Sequence, residues 1–99
     1  MPQLSEPEIA RALEGLPGWR RDGPAISRTF QCESFPALIA GVVLLAFQAE
    51  AADHHPDLSI SYRTLVVSYS THSEGALTGL DFEGAHNADR IFGGTASVS

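Results

Sequence analysis

The sequence predicts an α+β fold: one four-stranded antiparallel sheet with three helices packed on one face, in the order α-β-β-α-β-β-α. Three observations predict it. Two capping boxes, Ser5 with Glu8 and Thr78 with Asp81, each precede an apolar stripe of helical period. Two pairs of short alternating segments are each joined by a tight turn, which requires antiparallel pairing. A long apolar run from Pro36 to Ala49 separates the pairs. With 99 residues the chain is read as a single domain, 1–99, without repeat, linker or low-complexity tract.

Each element follows from local chemistry. Ser5 and Glu8 cap the first helix, and Leu4 with Ile9 forms a hydrophobic staple. Ile9, Ala12, Leu13 and Leu16 make its stripe, Gly15 its C-terminal cap, and Pro17-Gly18 its stop. Trp19 to Arg21 reads as a short strand and Asp22-Gly23 as a hairpin turn. Ile26, Arg28, Phe30 and Cys32 then share one face of the second strand. Arg28 is the exception on that face, and a position near the sheet edge with its head in water accounts for it.

Ser34 caps the second helix, with Pro36 in its first turn. Leu38, Ile39, Val42, Val43, Leu45, Ala46 and Ala49 surround nearly its whole circumference, so it is expected to be the most buried helix. Pro56 disfavours helix at the residue before it, which ends the helix near Asp53. Leu58, Ile60 and Tyr62, then Leu65, Val67, Tyr69 and Thr71, form the second strand pair, with His72 at its end. After Gly75, the third helix buries Phe82, Ala85, Ala88 and Phe92, and Gly93-Gly94 closes it.

Composition narrows the function. Twelve acids against six bases give a net charge of −6, with no cluster of Lys and Arg. That argues against direct nucleic-acid binding, which draws on clustered positive charge. The single Cys32 excludes an internal disulfide and suits a reducing compartment. MPQLSEPEIA carries acids and no basic segment, so no signal peptide is expected. The 14-residue apolar run falls short of the ~20 residues that span a bilayer. A soluble, cytoplasmic protein without membrane contact is expected.

The chemistry concentrates in EAADHHPDLSISY, residues 50–62. A helix reaching His54 puts Glu50 one turn before it on the same face. A carboxylate beside an imidazole fixes its tautomer, as general acid–base catalysis needs. The hairpin that follows ends in Thr71-His72, so His54, His55 and His72 can share one pocket. Residue spacing leaves three readings open: histidines facing solvent at a helix end, an acid–base site, or a zinc site with an open position. Against metal, adjacent side chains diverge, and there is no H-x-H or H-x-x-x-H pair. Cys32 reads as a small core residue rather than a nucleophile, and His86 as a surface residue of the third helix.

The run Gln48-Ala49-Glu50-x-x-Asp53-His54-His55-Pro56, with Tyr62, Ser70-Thr71-His72, Gly75, Leu77-Thr78 and Asp81, resembles the pterin-4a-carbinolamine dehydratase family. Five residues separate Pro56 from Tyr62, nine Tyr62 from His72, and eight His72 from Asp81, all as in that family. Leu16-Pro17-Gly18-Trp19 and Ile26-x-Arg28-x-Phe30 extend the resemblance over nearly the whole chain. It implies the same α+β fold and a hydro-lyase reaction, from 4a-hydroxytetrahydropterin to quinonoid dihydropterin, in the recycling of tetrahydrobiopterin. It implies His54 and His72 as acid–base residues and His55 mainly as a substrate-binding one. Glu50, Asp53, Pro56, Thr71 and Asp81 would support the pocket, and Trp19 would lie against the pterin. Asp81 also has an alternative role as helix cap. No cofactor and no metal are implied, because protonation of the leaving hydroxide replaces a Lewis acid.

Leu58, Cys32 and Ala76 depart from the family's usual residues, an aromatic, Phe and Gly respectively. The partners expected are a small pterin and further copies of the chain, as homodimer or homotetramer. The alternative function is a non-enzymatic binding protein or dimerisation cofactor for a transcription factor; the complete histidine set favours the enzyme.

Overall fold

In a computed structural model, the structure describes residues 3–93 and 97–98. Gly94, the second residue of the expected helix stop, lies outside the described residues. The helices are α1 (Glu6–Glu14), α2 (Phe35–Ala52) and α3 (Gly79–Phe92). The strands are β1 (Arg20–Asp22), β2 (Ala25–Gln31), β3 (Asp57–Ser61) and β4 (Thr64–Tyr69), with a two-residue β5 (Ser97–Val98). The four main strands form an antiparallel sheet in the order β1-β2-β4-β3, and β5 pairs with β2 at Phe30 and Gln31.

Both capping boxes form. The Ser5 hydroxyl accepts from the Glu8 amide, and the Glu8 carboxylate accepts from the Ser5 amide. Thr78 and Asp81 do the same for α3. The Ser34 hydroxyl accepts from the Ala37 amide at 3.1 Å and starts α2. In register, Ile26 faces Tyr69, Arg28 faces Val67 and Phe30 faces Leu65 across β2 and β4. Ile26, Phe30, Leu65, Val67 and Tyr69 pack against Leu38 and Leu45 of α2 and Phe82, Ala85 and Phe92 of α3. Polar Ser27, Thr29, Thr64 and Ser68 alternate onto the opposite face. A Cβ at Gly41 would enter the Phe92 ring, so a residue without one lets α2 approach α3.

Three local expectations are corrected. The first turn comes one residue later than expected, because Asp22 pairs with Ala25 and Gly23-Pro24 is the loop. Tyr62 does not continue β3 but opens the two-residue turn into β4, with φ 56°. Arg28 is not at a sheet edge, because β2 lies between β1 and β4. Its side chain is only 10% exposed, since Asp89 pairs with it at 2.8 Å and the Phe30 ring lies beneath the guanidinium. The pair compensates a charge that a core face cannot otherwise hold.

A fourth correction concerns α2, which is not the most buried helix in the chain. The helix runs its expected length from the Ser34 cap to Asp53, 18 residues in all, four more than the 14-residue apolar run, and matches a membrane span by length and composition. Leu38, Gly41, Leu45 and Ala49 enter the core. Phe35, Ile39, Val43, Leu44 and Phe47 stay on the surface, Phe47 at 72% exposure. One helix meets a single-layer sheet on one side only, and among the described residues no element covers its other side. Leu58 and Ile60 of edge strand β3 are left half-exposed for the same reason.

Candidate active site

The end of α2 determines where the histidines go. Asp53 adopts a left-handed conformation, φ 53° and ψ 42°. Its amide donates to the Glu50 carbonyl, and the His54 amide donates to the Ala49 carbonyl. This is a Schellman closure, with Asp in the position usually held by Gly. Asp tolerates that conformation better than most residues. The chain therefore leaves the helix axis at Asp53, before His54.

That bend exchanges the expected carboxylate partners. Glu50 does not orient His54; its Oε1 lies 2.9 Å from Nε2 of His55, and both side chains are exposed. His54 turns inward instead, to 11% side-chain exposure, with Nε2 2.6 Å from Oδ1 of Asp81. A helical i, i+4 pair needs the helix to run through both residues. Here it ends at Ala52, two residues short of His54.

Asp81 is completely buried at the start of α3, and its two oxygens have different duties. Oδ2 accepts from the Thr78 amide at 2.9 Å and from the Thr71 hydroxyl at 2.8 Å. Oδ1 meets His54. The Thr78 hydroxyl accepts from the Leu80 amide and lies 2.8 Å from the Thr71 hydroxyl. The donors thus run in one direction: Leu80 amide to Thr78, Thr78 to Thr71, Thr71 to Asp81. An acceptor-only carboxylate closes the chain, and His54 must present Nε2–H to it. Nδ1 is then the ring nitrogen left over, with no hydrogen bond among the described residues. Asp81 thus caps α3 through Oδ2 and meets His54 through Oδ1.

His54, His55 and His72 line one open cleft of about 270 Å³, together with Asp53, Ser70, Thr71, Ser73 and Leu80. This lies just below the ~300 Å³ lower end for drug-sized ligands and suits a small heterocycle. His72 is exposed at the cleft rim, and Pro56 is half-buried where the chain enters β3. Cys32 is buried just after β2, and burial pushes its thiol pKa up, away from reactivity. His86 is exposed on α3. Among the described residues, no three His, Cys, Asp or Glu side chains converge as metal ligands.

Trp19 lies elsewhere. It is 6% exposed, sits edge-on to Phe30 and is tilted against Tyr69 at 6.2 Å. Its Nε1 donates to Oδ1 of Asp89 at 2.9 Å, the same oxygen that Arg28 reaches. The indole packs in the core and does not line the cleft in this structure. Sequence reasoning missed Asp89, whose signal was the need of Arg28 for a counter-charge. It also missed Tyr69, whose ring lies parallel to the His54 imidazole, 17° between planes and 5.9 Å between centroids.

A two-layered helix-on-sheet domain thus places a carboxylate-bonded imidazole at the wall of an open cleft. Comparisons with known proteins give that arrangement a family. The sequence profile of the family described as pterin 4 alpha carbinolamine dehydratase matches residues 2–91, and the chain belongs to this family of hydro-lyases. A relative from Nocardia farcinica is 52% identical over 88 residues, covering 89% of this chain and 93% of its own. One from Roseiflexus castenholzii is 51% identical over 88 residues, covering 89% of this chain and 95% of its own. Both carry the name pterin-4-alpha-carbinolamine dehydratase as a provisional assignment. A crystal structure described as a transcriptional coactivator/pterin dehydratase, from Brucella melitensis, superposes with a TM-score of 0.89 at 33% identity, over 92% of this chain and 99% of that one. The four-stranded antiparallel sheet with three helices is thus the family's fold. A pterin dehydratase-like protein described as a RuBisCO assembly factor in the alpha-carboxysome shares the fold at 17% identity and a TM-score of 0.63, over 76% of this chain and 87% of that one.

Proposed function

We propose that this chain dehydrates 4a-hydroxytetrahydropterin to quinonoid dihydropterin by histidine acid–base catalysis, in tetrahydrobiopterin recycling. The observation that carries the reading is the His54–Asp81 pair at the wall of a cleft that also holds His55 and His72. In the reaction the bond from C4a to the hydroxyl oxygen breaks. The oxygen takes a proton from one imidazolium and leaves as water. N5 gives up its proton to a neutral imidazole, and its electrons form the new double bond to C4a. His54, presenting Nδ1, and His72 at the rim are the two groups that move protons. His55, held by Glu50 in solvent, binds. Protonation makes hydroxide a competent leaving group, so the reaction needs no cofactor or metal.

Steady-state turnover of 4a-hydroxytetrahydropterin tests the reading. His54→Ala and His72→Ala are each expected to lower kcat by roughly 10²-fold, the size of a typical acid–base contribution. The loss is smaller if each histidine serves one configuration at C4a, and the double variant then loses far more than either. His55→Ala is expected to raise KM with kcat kept. A double variant with near-full turnover would refute the assignment.

The chain is further proposed to act as a homo-oligomer in the cytoplasm. All five residues of β3 are exposed, and this sheet edge carries one charge, Asp57, and no Lys or Pro. Such an edge is not protected against pairing. Antiparallel pairing of two identical edges generates a two-fold axis. Phe35, Ile39, Val43 and Phe47 recur every fourth residue on the surface of α2, giving a second self-complementary apolar stripe. A second copy on these faces supports dimer or tetramer. The negative net charge supports the absence of direct nucleic-acid contact.

A further inference from the structure

Asp81 holds one atom of His54. A single hydrogen bond fixes a distance but leaves the imidazole free to rotate about it. What stands against the face of the ring is Tyr69, the last residue of β4. We propose that Tyr69 is a positioning residue of the site, holding the plane of the His54 imidazole so that Nε2 stays on Asp81 and Nδ1 stays free of it. The inference rests on His54 being an acid–base group.

Four observations carry it. The two rings are parallel within 17°, at 5.9 Å between centroids, the offset arrangement that aromatic pairs prefer. Tyr69 is 2% exposed, so its own ring cannot drift. Trp19, anchored through Asp89, leans on it from one side. Gly84 of α3 closes the other, where an added Cβ would enter the Tyr69 ring. The stack therefore runs from the anchored indole through Tyr69 to His54, and the core transmits its rigidity to the imidazole.

The hydroxyl is not the working part. Burial and the nearby Asp81 charge push the Tyr69 pKa up to about 12, so the phenol neither gives nor takes a proton near neutrality. A second cavity, of about 30 Å³, also borders His54 and is lined by Tyr69, Gln48 and Asn87 among others. It has room for one water. The imidazole thus borders space into which it could turn, and the tyrosine ring against its face opposes that rotation.

The test separates ring from hydroxyl and geometry from activity. Nitrogen-15 shifts of His54 are expected to show the Nε2–H tautomer alone in the parent protein and in Tyr69→Phe. In Tyr69→Leu they are expected to show both tautomers. Turnover should follow: kcat close to the parent in Tyr69→Phe, and about 10-fold lower in Tyr69→Leu with KM unchanged, since small misplacements of a catalytic group are costly. A single Nε2–H tautomer in Tyr69→Leu, or an unchanged kcat, overturns the proposal, as does a loss in Tyr69→Phe equal to that in Tyr69→Leu. If circular dichroism shows Tyr69→Leu unfolded, Tyr69→Met replaces it under the same criteria, and unfolding of both overturns the proposal. The tautomer measurement needs no substrate. Full turnover by His54→Ala would instead refute the catalytic reading of the histidine.

Discussion

Asp81 shows how one side chain serves two ends. Replacing it by Asn leaves one acceptor oxygen where two are used. If that oxygen keeps the Thr71 and Thr78 donors, the amide NH2 faces His54 and forces it to present a lone pair at Nε2. Asp81→Asn is therefore expected to lower kcat by roughly 10²-fold while costing only about 1 kcal/mol of stability. Thr78→Ala should cost a similar amount, about 1 kcal/mol by loss of the cap, but with turnover largely kept. Kinetics and denaturant midpoints on the two variants check that only the first loses turnover. Tyr69 makes a separate pH prediction. Its folded-state pKa is raised from 10.0 to about 12, so its contribution is complete below pH 10 and is lost as pH rises from there toward 12. In that window the unfolded chain releases a proton that the folded one retains. The melting temperature should fall between pH 10 and 12, and Tyr69→Phe should fall less steeply.

At the scale of elements, the decisive feature is the end of α2. Asp53 lines the cleft and also makes the left-handed bend that sends His54 inward and leaves His55 to Glu50. The bend predicts that Asp53→Gly, which needs no left-handed strain, keeps stability and kcat. Asp53→Val, β-branched in that region, should cost about 1–3 kcal/mol and displace both histidines. Unfolding curves and turnover check it, and a large rise in KM for Asp53→Gly would instead make Asp53 a binding residue. The helix itself was legible: Ser34, Pro36 and the apolar run announce it, and Pro56 announces its end. The choice of histidine partner was not. Sequence spacing reads i, i+4 as a shared face, but one left-handed residue rotates everything after it.

For the whole molecule, exposed apolar surface on α2 and on β3 predicts self-association. Light scattering at micromolar concentration is expected to give a multiple of 10.6 kDa. Phe47→Glu together with Val43→Glu should reduce that mass while the monomer stays folded, because neither side chain enters the core. A particle of 10.6 kDa for the parent chain would refute the assembly. Chelators are expected to leave turnover unchanged, and elemental analysis to find no zinc at one per chain.

By itself the sequence determined the order of elements, both capping boxes, the core face of α3 and the alternation of β4, because these depend on contacts within a few residues. It also determined the histidine signature and the family, because a motif is carried by residue identity and spacing. Only the tertiary structure decided which carboxylate meets which imidazole, that Arg28 is neutralised by Asp89 across 61 residues, that Trp19 is core rather than cleft, and that one side of α2 is left bare. Those outcomes depend on how surfaces far apart in the chain meet. A hydrophobic period says that a face is apolar, and the packed neighbours decide whether anything covers it.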